Sequence, residues 1–532
     1  MKTRHLLLFL SVSAVFSAPL SNAGEQWVNG ASAKSVIGQG DFLNGFANRG
    51  FVAVANSLNT LSSVVVDSAT GKVFVADTFN NRVLRYASAA ALTNGADAEA
   101  VLGQPDFTSA DSAITQSGMS QPEGLAIDSL GNLWVAERGN HRVTRFANAA
   151  TAMNGANAAQ VLGQADFTTV VPDTTRNRLK FPVAVAISPF GTLWVCDQGN
   201  NRILRYHNAT AKMNGANADG LLGQNIYTED AARSHPGGLD FPADIHLDAN
   251  GRIWVADRDN HRIIRHDAPA SKADGDNAEG VIGQIDFVEN SSGTTAAKLF
   301  HPSSVFLDST GTLWVADETN NRILHFLNGV IRTLETDADL VIGQSDFTSG
   351  GFGLSQTQLH GPRTVFVDQN GTLWVADSSN NRVLRFTQSR FQPDSLGGAK
   401  SGRQRGNGIY NSSGSGQSAT VKMKGRRSGK AFFTCQNDGD VTDSYRVRAT
   451  KGNRKLKVKY QQIGRGNVTG SIIRGTLSLT DLAVASSTRF QAKIKPSRKS
   501  RNKKAKKTFR FTSTSLTDGE FDTSRVKVKK KP

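Results

Sequence analysis

The stretch Gly131-Asn132-Leu133-Trp134-Val135-Ala136-Glu137 indicates a repeat fold, because close copies of it recur along the chain at intervals of 60 residues. The copies occupy 71–77, 191–197, 251–257, 311–317 and 371–377. Each ends in an acidic residue, which is followed by two variable residues and then by Asn-Asn-Arg or Asn-His-Arg. Self-similarity at a fixed interval is typical of repeat architectures, in which each repeat forms one unit of supersecondary structure.

A second motif, Val101-Leu102-Gly103-Gln104-Pro105-Asp106-Phe107, accompanies the first. It returns at 161–167, 281–287 and 341–347, in degenerate form at 221–227, and once ahead of the first repeat, at 36–42. Between Gly, Asn and Asp turns, β-branched and aromatic residues give each repeat four short segments of strand character. The pattern therefore predicts four antiparallel strands per repeat.

Six such repeats predict an all-β fold, a six-bladed β-propeller with four-stranded blades. The same units could build a solenoid, but the copy at 36–42 favours a ring. The last repeat has three strands, at 361–386, and is followed by no copy of the second motif. We expect the N-terminal segment to supply the missing outer strand and to remove an exposed sheet edge.

The combined pattern resembles the NHL repeat: an opening proline, a buried strand ending in Asp, and then Gly-x-apolar-Trp-Val-Ala-Asp-x-x-Asn-x-Arg. The resemblance covers roughly 36–390, and we place the propeller at 24–390. It implies fold and family but little about activity, because this fold carries many functions.

Residues present in every repeat are predicted to be structural. Each Trp, replaced by Phe74 in the first repeat, is expected to pack between blades and to bury on the order of 150–250 Å²; a sugar-stacking platform is the alternative. Each acid is expected to pair with the Arg five residues later across a turn, and His141 and His261 are interpreted as turn residues. These structural positions are Asp77, Arg82, Trp134, Glu137, Arg142, Trp194, Asp197, Arg202, Trp254, Asp257, Arg262, Trp314, Asp317, Arg322, Trp374, Asp377 and Arg382.

Function is expected where the repeat varies. The residues after the proline that opens each blade differ between repeats, and in propellers they lie near one mouth of the central channel. This places Glu123, Asp244 and Arg363 at the channel, with His246 nearby. The loops between blades also vary, and variable loops on a rigid scaffold are suited to recognition. These loops are 108–121, 168–180, 228–240, 288–300 and 348–360.

An enzyme is the alternative. Relatives with the propeller fold include a peptidyl-hydroxyglycine amidating lyase and gluconolactonase-like hydrolases, and this resemblance implies a channel metal. The lyase site needs histidines from several blades, whereas only His301 and His360 stand at such positions. A channel calcium or zinc would draw on Glu123 and Asp244, and two carboxylates do not complete a site. We therefore predict no cofactor.

The N-terminus has the features of a secretory signal peptide, predicted at 1–23. Lys2 and Arg4 precede an apolar run of about 15 residues, shorter than the roughly 20 that a membrane span needs. An uncleaved anchor is the alternative. We expect an exported bacterial protein of the periplasm, cell surface or extracellular space. Two cysteines, Cys196 and Cys435, make no disulfide scaffold.

The C-terminal part is strongly basic: 396–532 contains 33 Lys and Arg against 7 Asp and Glu, and the rest of the chain is net acidic. We predict a Gly/Ser-rich linker at 391–420 and a β-sandwich at 421–532, with strands at 431–435, 445–449, 456–460, 471–476, 490–494, 508–513 and 525–528. Asn437, Gly439, Asp443 and Tyr445 are spaced as in a turn of bacterial immunoglobulin-like modules, which the sandwich resembles.

Basic runs at 495–507 and 527–531 predict contact with an anionic envelope polymer, and a solvated surface without a partner is the alternative. No aromatic platform interleaves the charges, so specific nucleic-acid binding is not expected. NHL propellers of some eukaryotic proteins bind RNA or serve ubiquitin ligases; the acidic propeller, the missing RING-type cysteine cluster and the signal peptide argue against both.

The sequence therefore predicts a secreted binding or scaffold protein. Its propeller would bind a protein or glycan through the variable loops, and its tail would associate with anionic cell-surface polymers. The alternative is a metal-dependent hydrolase or lyase with its site in the channel.

Overall fold

The computed structural model describes residues 25–332, 334–411, 413, 415–500 and 503–532. The predicted signal peptide at 1–23 lies outside these residues. The described chain divides into two compact units: Val28–Thr387, and Gln388–Pro532 together with the residues up to Trp27. In the first unit, short β-strands are arranged in four-stranded antiparallel sheets that we call blades 1 to 6.

Two strands precede the blades: β1 (Glu25–Gln26), in the second unit, and β2 (Ser35–Ile37), in the first. Blade 1 contains β3–β6, at Ser63–Val66, Lys72–Asp77, Arg82–Ser88 and Ala100–Leu102. Blade 2 contains β7–β10, at Pro122–Ile127, Leu133–Glu137, Arg142–Phe146 and Gln160–Leu162. Blade 3 contains β11–β14, at Pro182–Ile187, Leu193–Asp197, Arg202–Tyr206 and Gly220–Leu222.

Blade 4 contains β15–β18, at Pro242–Leu247, Ile253–Asp257, Arg262–His266 and Gly280–Ile282. Blade 5 contains β19–β22, at Pro302–Leu307, Leu313–Asp317, Arg322–Phe326 and Leu340–Ile342. Blade 6 contains β23–β25, at Pro362–Val367, Leu373–Asp377 and Arg382–Phe386, and its sheet order is β2-β25-β24-β23.

The N-terminal segment supplies the outer strand of blade 6. Val36 lies opposite Leu384 and Ile37 opposite Val383 in an antiparallel register. Blade 6 also contacts blade 1, because Thr364 donates from Oγ1 to the carbonyl oxygen of Ser62 at 2.5 Å. The segment at 36–42 therefore stands where the sequence predicts it.

Blades 2, 4, 5 and 6 share one set of local interactions. In blade 2, Oδ1 of Asp128 accepts hydrogen bonds from the backbone N–H groups of Leu130 and Asn132, which closes the turn between the first two strands. Its Oδ2 accepts a hydrogen bond from Nε1 of Trp134 at 3.1 Å. The Trp side chain thus stays hydrogen-bonded while it is fully buried.

The cores lie between adjacent blades. Trp134 of blade 2 packs with Leu193 and Val195 of blade 3. Trp374 of blade 6 packs in the same way with Val73 and Val75 of blade 1. The tryptophans thus lie in apolar layers between the sheets, where a sugar could not stack on them.

The second unit is a two-sheet β structure. Its strands are β26 (Ser389–Arg390), β27 (Pro393–Lys400), β28 (Arg403–Arg405), β29 (Ser418–Lys424), β30 (Gly429–Asn437), β31 (Asp443–Ala449), β32 (Leu456–Gln462), β33 (Gly466–Asn467), β34 (Leu477–Leu482), β35 (Ser487–Pro496), β36 (Ala505–Ser515) and β37 (Phe521–Lys531). One sheet has the order β28-β27-β30-β35-β32-β33, and the other has the order β29-β37-β36-β31-β34. Their inner faces meet at Phe433, Phe490 and Phe511.

Three predictions for this unit are wrong. The segment 391–420 is not a linker, because β27 pairs along β30 and buries Asp394 and Ser395. The predicted strand at 471–476 is instead the helix α1 (Thr469–Arg474), which ends at Gly475 with φ of 73°. The propeller ends before 390, since Ser389 and Arg390 pair with β1 within the second unit. No helix in the described part of the chain is long and apolar enough to cross a bilayer.

Candidate functional site

The first strand of each blade lines a central cavity of about 520 Å³. Glu123, Asp244, His246 and Arg363, the four channel residues predicted from the sequence, all line it. The volume is in the range of cavities that bind small molecules.

Charged side chains surround one mouth of this cavity. Arg363 lies between two carboxylates: its Nη1 is 3.8 Å from Oε1 of Glu123, and its Nε is 3.8 Å from Oε1 of Glu318. Glu123 also faces Nε of Arg138 at 3.7 Å, and Glu318 faces Nε of Arg258 at 3.3 Å. Three guanidiniums and two carboxylates thus form one network. The N···O distance of each pair is longer than a direct hydrogen bond or close to its upper limit.

Three of the five residues of this network were not predicted from the sequence. Arg138, Arg258 and Glu318 directly follow the acid that ends the second strand of their blades. The same position is held elsewhere by Thr78, Gln198 and Ser378, so the residue type changes from blade to blade. The sequence shows that this residue varies from blade to blade, but only the fold shows that the turn carrying it faces the channel.

Burial raises the pKa of Glu123, and the nearby Arg363 and Arg138 act in the opposite direction. Removing either arginine would therefore favour the protonated acid. The network is sensitive to charge changes at the mouth, as expected of carboxylates held in a narrow, partly desolvated space.

Asp244 lies deeper in the cavity. Its Oδ2 accepts hydrogen bonds from Oγ of Ser304 at 2.6 Å and from the backbone N–H of Val305 at 3.1 Å, and its Oδ1 accepts one from the backbone N–H of Ile245 at 2.8 Å. These bonds link blades 4 and 5. Burial nevertheless raises the pKa of Asp244 to about 6.

The rings of His246, Phe306 and Phe366 form an arc along one side of the cavity. The ring centroid of His246 lies 4.4 Å from that of Phe306, which lies 5.2 Å from that of Phe366. The corresponding residues of blades 2 and 3 are Ala126 and Ala186. Burial lowers the pKa of His246 to about 4, so the imidazole is neutral near pH 7. The cavity therefore has one aromatic wall and one aliphatic wall.

The donor set does not fit a metal site. The carboxylate of Glu123 is faced by guanidiniums, and both oxygens of Asp244 already accept hydrogen bonds. Within the described residues, no three His, Cys, Asp or Glu side chains are grouped so that they could hold a metal ion. His301 and His360 do not line the cavity; His360 stacks on Phe352 with ring centroids 4.4 Å apart.

The repeated acid–arginine pairs secure the variable loops. Nε of Arg142 lies 3.0 Å from Oε2 of Glu137, and neither side chain is exposed. The other nitrogens of Arg142 donate to the carbonyl oxygens of Thr115, Gly118 and Phe167, which lie in the loops flanking blade 2. His141 and His261, at φ of 51° and 52°, are turn residues whose Nδ1 atoms accept backbone hydrogen bonds.

Large apolar side chains are exposed among the variable loops. We call Leu43, Phe46, Phe51, Val52, Phe79 and Phe352 the apolar loop patch; each is between 55% and 85% exposed. The loop that carries the first four contacts its neighbours, since Nδ2 of Asn48 donates to Oδ1 of Asn80 and Nδ2 of Asn381 donates to the carbonyl oxygen of Gly45. Phe79 also lines the channel, so the patch reaches the charged mouth.

Both cysteines are buried and free. Sγ of Cys196 lies 3.1 Å from the carbonyl oxygen of Pro242, and burial raises the pKa of its thiol well above the usual range. Burial raises the pKa of Cys435 to about 12. Neither thiol is a nucleophile near neutral pH.

The profile of the NHL repeat matches 119–146, 239–265 and 359–386, which run from the first into the third strand of blades 2, 4 and 6. The profile of the PAS fold matches 174–229, but these residues include all four strands of blade 3. No curated protein sequence matches the chain.

Solved structures resemble part of the chain at low identity. A streptogramin B lyase structure is 12% identical, with a TM-score of 0.38, over 63% of this chain and 95% of that one. A virginiamycin B lyase from Staphylococcus aureus is 15% identical, with a TM-score of 0.36, over 63% and 97%. A functionally unknown protein from Desulfotomaculum acetoxidans DSM 771 is 13% identical, with a TM-score of 0.37, over 62% and 84%. Nothing about activity follows from similarity at this level.

Proposed function

Because this chain carries NHL repeats in the blades of a propeller, we propose that it is an exported binding or scaffold protein. Its propeller binds a protein or glycan through the variable-loop face, and its basic C-terminal unit associates with an anionic cell-surface polymer. The predicted signal peptide, which supports export, lies outside the described residues, and the periplasm, cell surface or extracellular space of a bacterium is the proposed location.

The apolar loop patch is the observation that carries the proposal for the propeller. Phe51 is 85% exposed and Phe46 is 70% exposed, on a loop that is hydrogen-bonded through Asn48 to Asn80 of blade 1 and through Gly45 to Asn381 of blade 6. Exposed aromatic side chains on neighbouring segments of one face are costly in water and mark a recognition surface. Aromatic residues beside charged ones are the usual composition of binding hot spots.

The loops are suited to this role because they are held rigidly. In every blade of the described chain, a buried arginine donates to loop carbonyl oxygens, as Arg322 does to Thr295 and Lys298. A preorganised surface loses less conformational entropy when it binds a partner. The repeat thus supplies the scaffold, and the residues that differ between blades supply specificity.

We do not propose that the chain is a metal-dependent hydrolase or lyase. That alternative requires Glu123 and Asp244 to act as ligands, whereas the structure engages both with protein donors. No observation at the channel favours it over binding.

The proposal can be tested with two sets of variants. Phe46→Ser, Phe51→Ser and Phe352→Ser together remove three of the four aromatic side chains of the patch. Met153→Ser, Met213→Ser and Phe190→Ser form a matched set in connections at the opposite face, where these residues are 81%, 83% and 90% exposed. The purified full chain is applied to a glycan array and to immobilised envelope proteins of the source organism. We expect the first set to abolish the binding shown by the wild type and the second set to retain it. Binding that survives the first set, or a wild-type chain that binds neither class, contradicts the proposal.

A further inference from the structure

Strand β37 carries a line of cations on one side. Arg525, Lys527, Lys529 and Lys531 alternate with the buried residues Val526, Val528 and Lys530. Because side chains alternate across a strand, the four cations share the outer face of their sheet, at intervals of about 6.7 Å.

The neighbouring strands add cations in register with this line. On one side Lys422 lies opposite Lys529, and on the other side Lys506 lies opposite Lys529 as well. Arg510 of β36 lies opposite Arg525. These rows run across the sheet at strand spacings of about 4.8 Å.

We call the outer face of this sheet the basic sheet face. It comprises ten cationic side chains, which are Lys422, Lys424, Arg446, Arg448, Lys506, Arg510, Arg525, Lys527, Lys529 and Lys531. Nine of them are exposed and Arg525 is partly so. None forms an ion pair with any described residue.

The closely spaced cations of the basic sheet face destabilise the folded unit. Like charges directly opposite each other on adjacent strands are destabilising. Three acids of the same unit, Asp394, Asp443 and Asp522, do not relieve the repulsion, because they are buried inside it. A surface of this kind is stabilised when an external polyanion replaces its counterions.

The geometry favours a linear polymer with one charge per repeat. Cations along β37 are spaced in a straight row about 20 Å long from Arg525 to Lys531. An extended phosphodiester chain with a short polyol spacer presents charges at a similar separation. The ammonium groups of lysine suit single phosphate charges, which they bind as point charges.

The surface lacks the features that would select nucleic acid. Surfaces that bind single-stranded nucleic acid carry aromatic rings among their cations, and the bases stack on these rings. The aromatic residue exposed on β37 is Phe521, at the other end of the strand from Lys531. A polymer without bases is therefore the better match.

The opposite sheet of this unit provides a comparison. Its outer face also carries lysines, with Lys459 and Lys430 both opposite Lys493 and with Lys457 opposite Lys495. These form short rows across the strands and no four-residue line along one strand. The two faces have similar charge but different geometry.

We propose that the basic sheet face binds a linear polyol-phosphate polymer, laid along β37 and bridged by the cations of β29 and β36. This inference rests on the proposed association of the C-terminal unit with anionic polymers and names the face and the polymer class.

Binding of the full chain to immobilised poly(glycerol phosphate), measured against NaCl concentration, tests the inference. The test variant is Lys527→Gln, Lys529→Gln and Lys531→Gln, and the matched variant is Lys457→Gln, Lys459→Gln and Lys493→Gln. All six lysines are exposed, so both variants should fold, which circular dichroism checks. We expect the test variant to bind roughly 10- to 100-fold more weakly, with a salt dependence of log K shallower by about two. The matched variant should lose less than about threefold.

Each contrary outcome has a distinct meaning. Equal losses in both variants overturn the inference, because binding then depends on overall charge and not on the β37 face. Equal or tighter binding of oligo(dT) than of poly(glycerol phosphate) also overturns it, since the partner would then be nucleic acid. If the wild type binds neither polymer at low salt, the proposed association of this unit with anionic polymers fails as well.

Discussion

Arg382 donates from Nε to Oδ2 of Asp377 at 2.7 Å, and neither side chain has any exposed surface. The other nitrogens of Arg382 donate to the carbonyl oxygens of Ser355 and Gln358, in the loop before blade 6, and of Phe42, in the N-terminal segment. One guanidinium therefore joins a turn, a variable loop and the segment that supplies the outer strand of the blade. The arginine of the repeated acid–arginine pair thus holds the loops around its blade in place.

Breaking one of these pairs should be far more damaging than breaking an exposed pair. Arg322→Met leaves Asp317 charged and buried without its partner, and we expect a loss of about 3–5 kcal/mol in the free energy of unfolding. Arg332→Met in the same blade removes a partly exposed pair with Asp339 and should cost about 1 kcal/mol or less. Urea denaturation of both variants measures the difference. Similar losses would show that the buried pairs do not hold the blades together.

The N-terminal segment should be as important to stability as a blade core. Ile37 is fully buried in blade 6, whereas Leu43, six residues later, is 72% exposed. Ile37→Asp places a carboxylate in an apolar layer and should cost more than about 3 kcal/mol. Leu43→Asp should change the free energy of unfolding by less than about 0.5 kcal/mol. Thermal denaturation compares them, and a tolerated Ile37→Asp would argue against the pairing with β25.

Asp244 should make stability fall as pH rises toward neutrality. Its pKa is about 6 in the folded chain and near 4 when unfolded, so the folded state binds the extra proton between these values. The free energy of unfolding of the wild type, relative to Asp244→Asn, should therefore decrease by about 2 kcal/mol between pH 4 and pH 7. His246, with its lowered pKa, acts in the opposite direction but is common to both proteins.

The exposed Asp230, outside the cavity, is a control for Asp244. Asp230→Asn removes one carboxylate at the surface, and its pH profile is compared with that of Asp244→Asn. A difference between the wild type and Asp244→Asn that is constant with pH would show that Asp244 is not protonated on folding.

Two substitutions at the channel mouth should move the pKa of Glu123 in opposite directions. Arg363→Gln removes a positive charge and should raise this pKa, whereas Glu318→Gln removes a negative charge and should lower it. NMR titration of ¹³C-labelled glutamate side chains measures both. Shifts of the same sign would mean that these residues do not act on Glu123 through their charges.

The sequence predicted the residues that repeat and only some of those that differ between blades. Trp134, Glu137 and Arg142 recur at fixed spacing, so their structural roles could be read from the pattern. Arg258 and Glu318 could not be placed at the channel, because nothing local shows that the turn after the second strand faces the same mouth as Arg363.

The C-terminal unit shows the limits of local patterns. Ser395 and Gly397 suggest a flexible segment, yet tertiary pairing with β30 makes them part of a strand. Ile472 and Ile473 are β-branched and suggest a strand, but Gly475 adopts a left-handed conformation that ends a helix. In both cases long-range contacts override local propensity.

The N-terminal segment completes blade 6, and this pairing fixes which loops and which charged residues share one face. Hydrogen–deuterium exchange of the full chain at 34–38 measures it directly, because the backbone N–H of Lys34 donates to the carbonyl oxygen of Arg385 at 2.7 Å. We predict exchange as slow as that of β25. Rapid exchange at 34–38, with β25 still protected, would show that the N-terminal segment does not pair with β25.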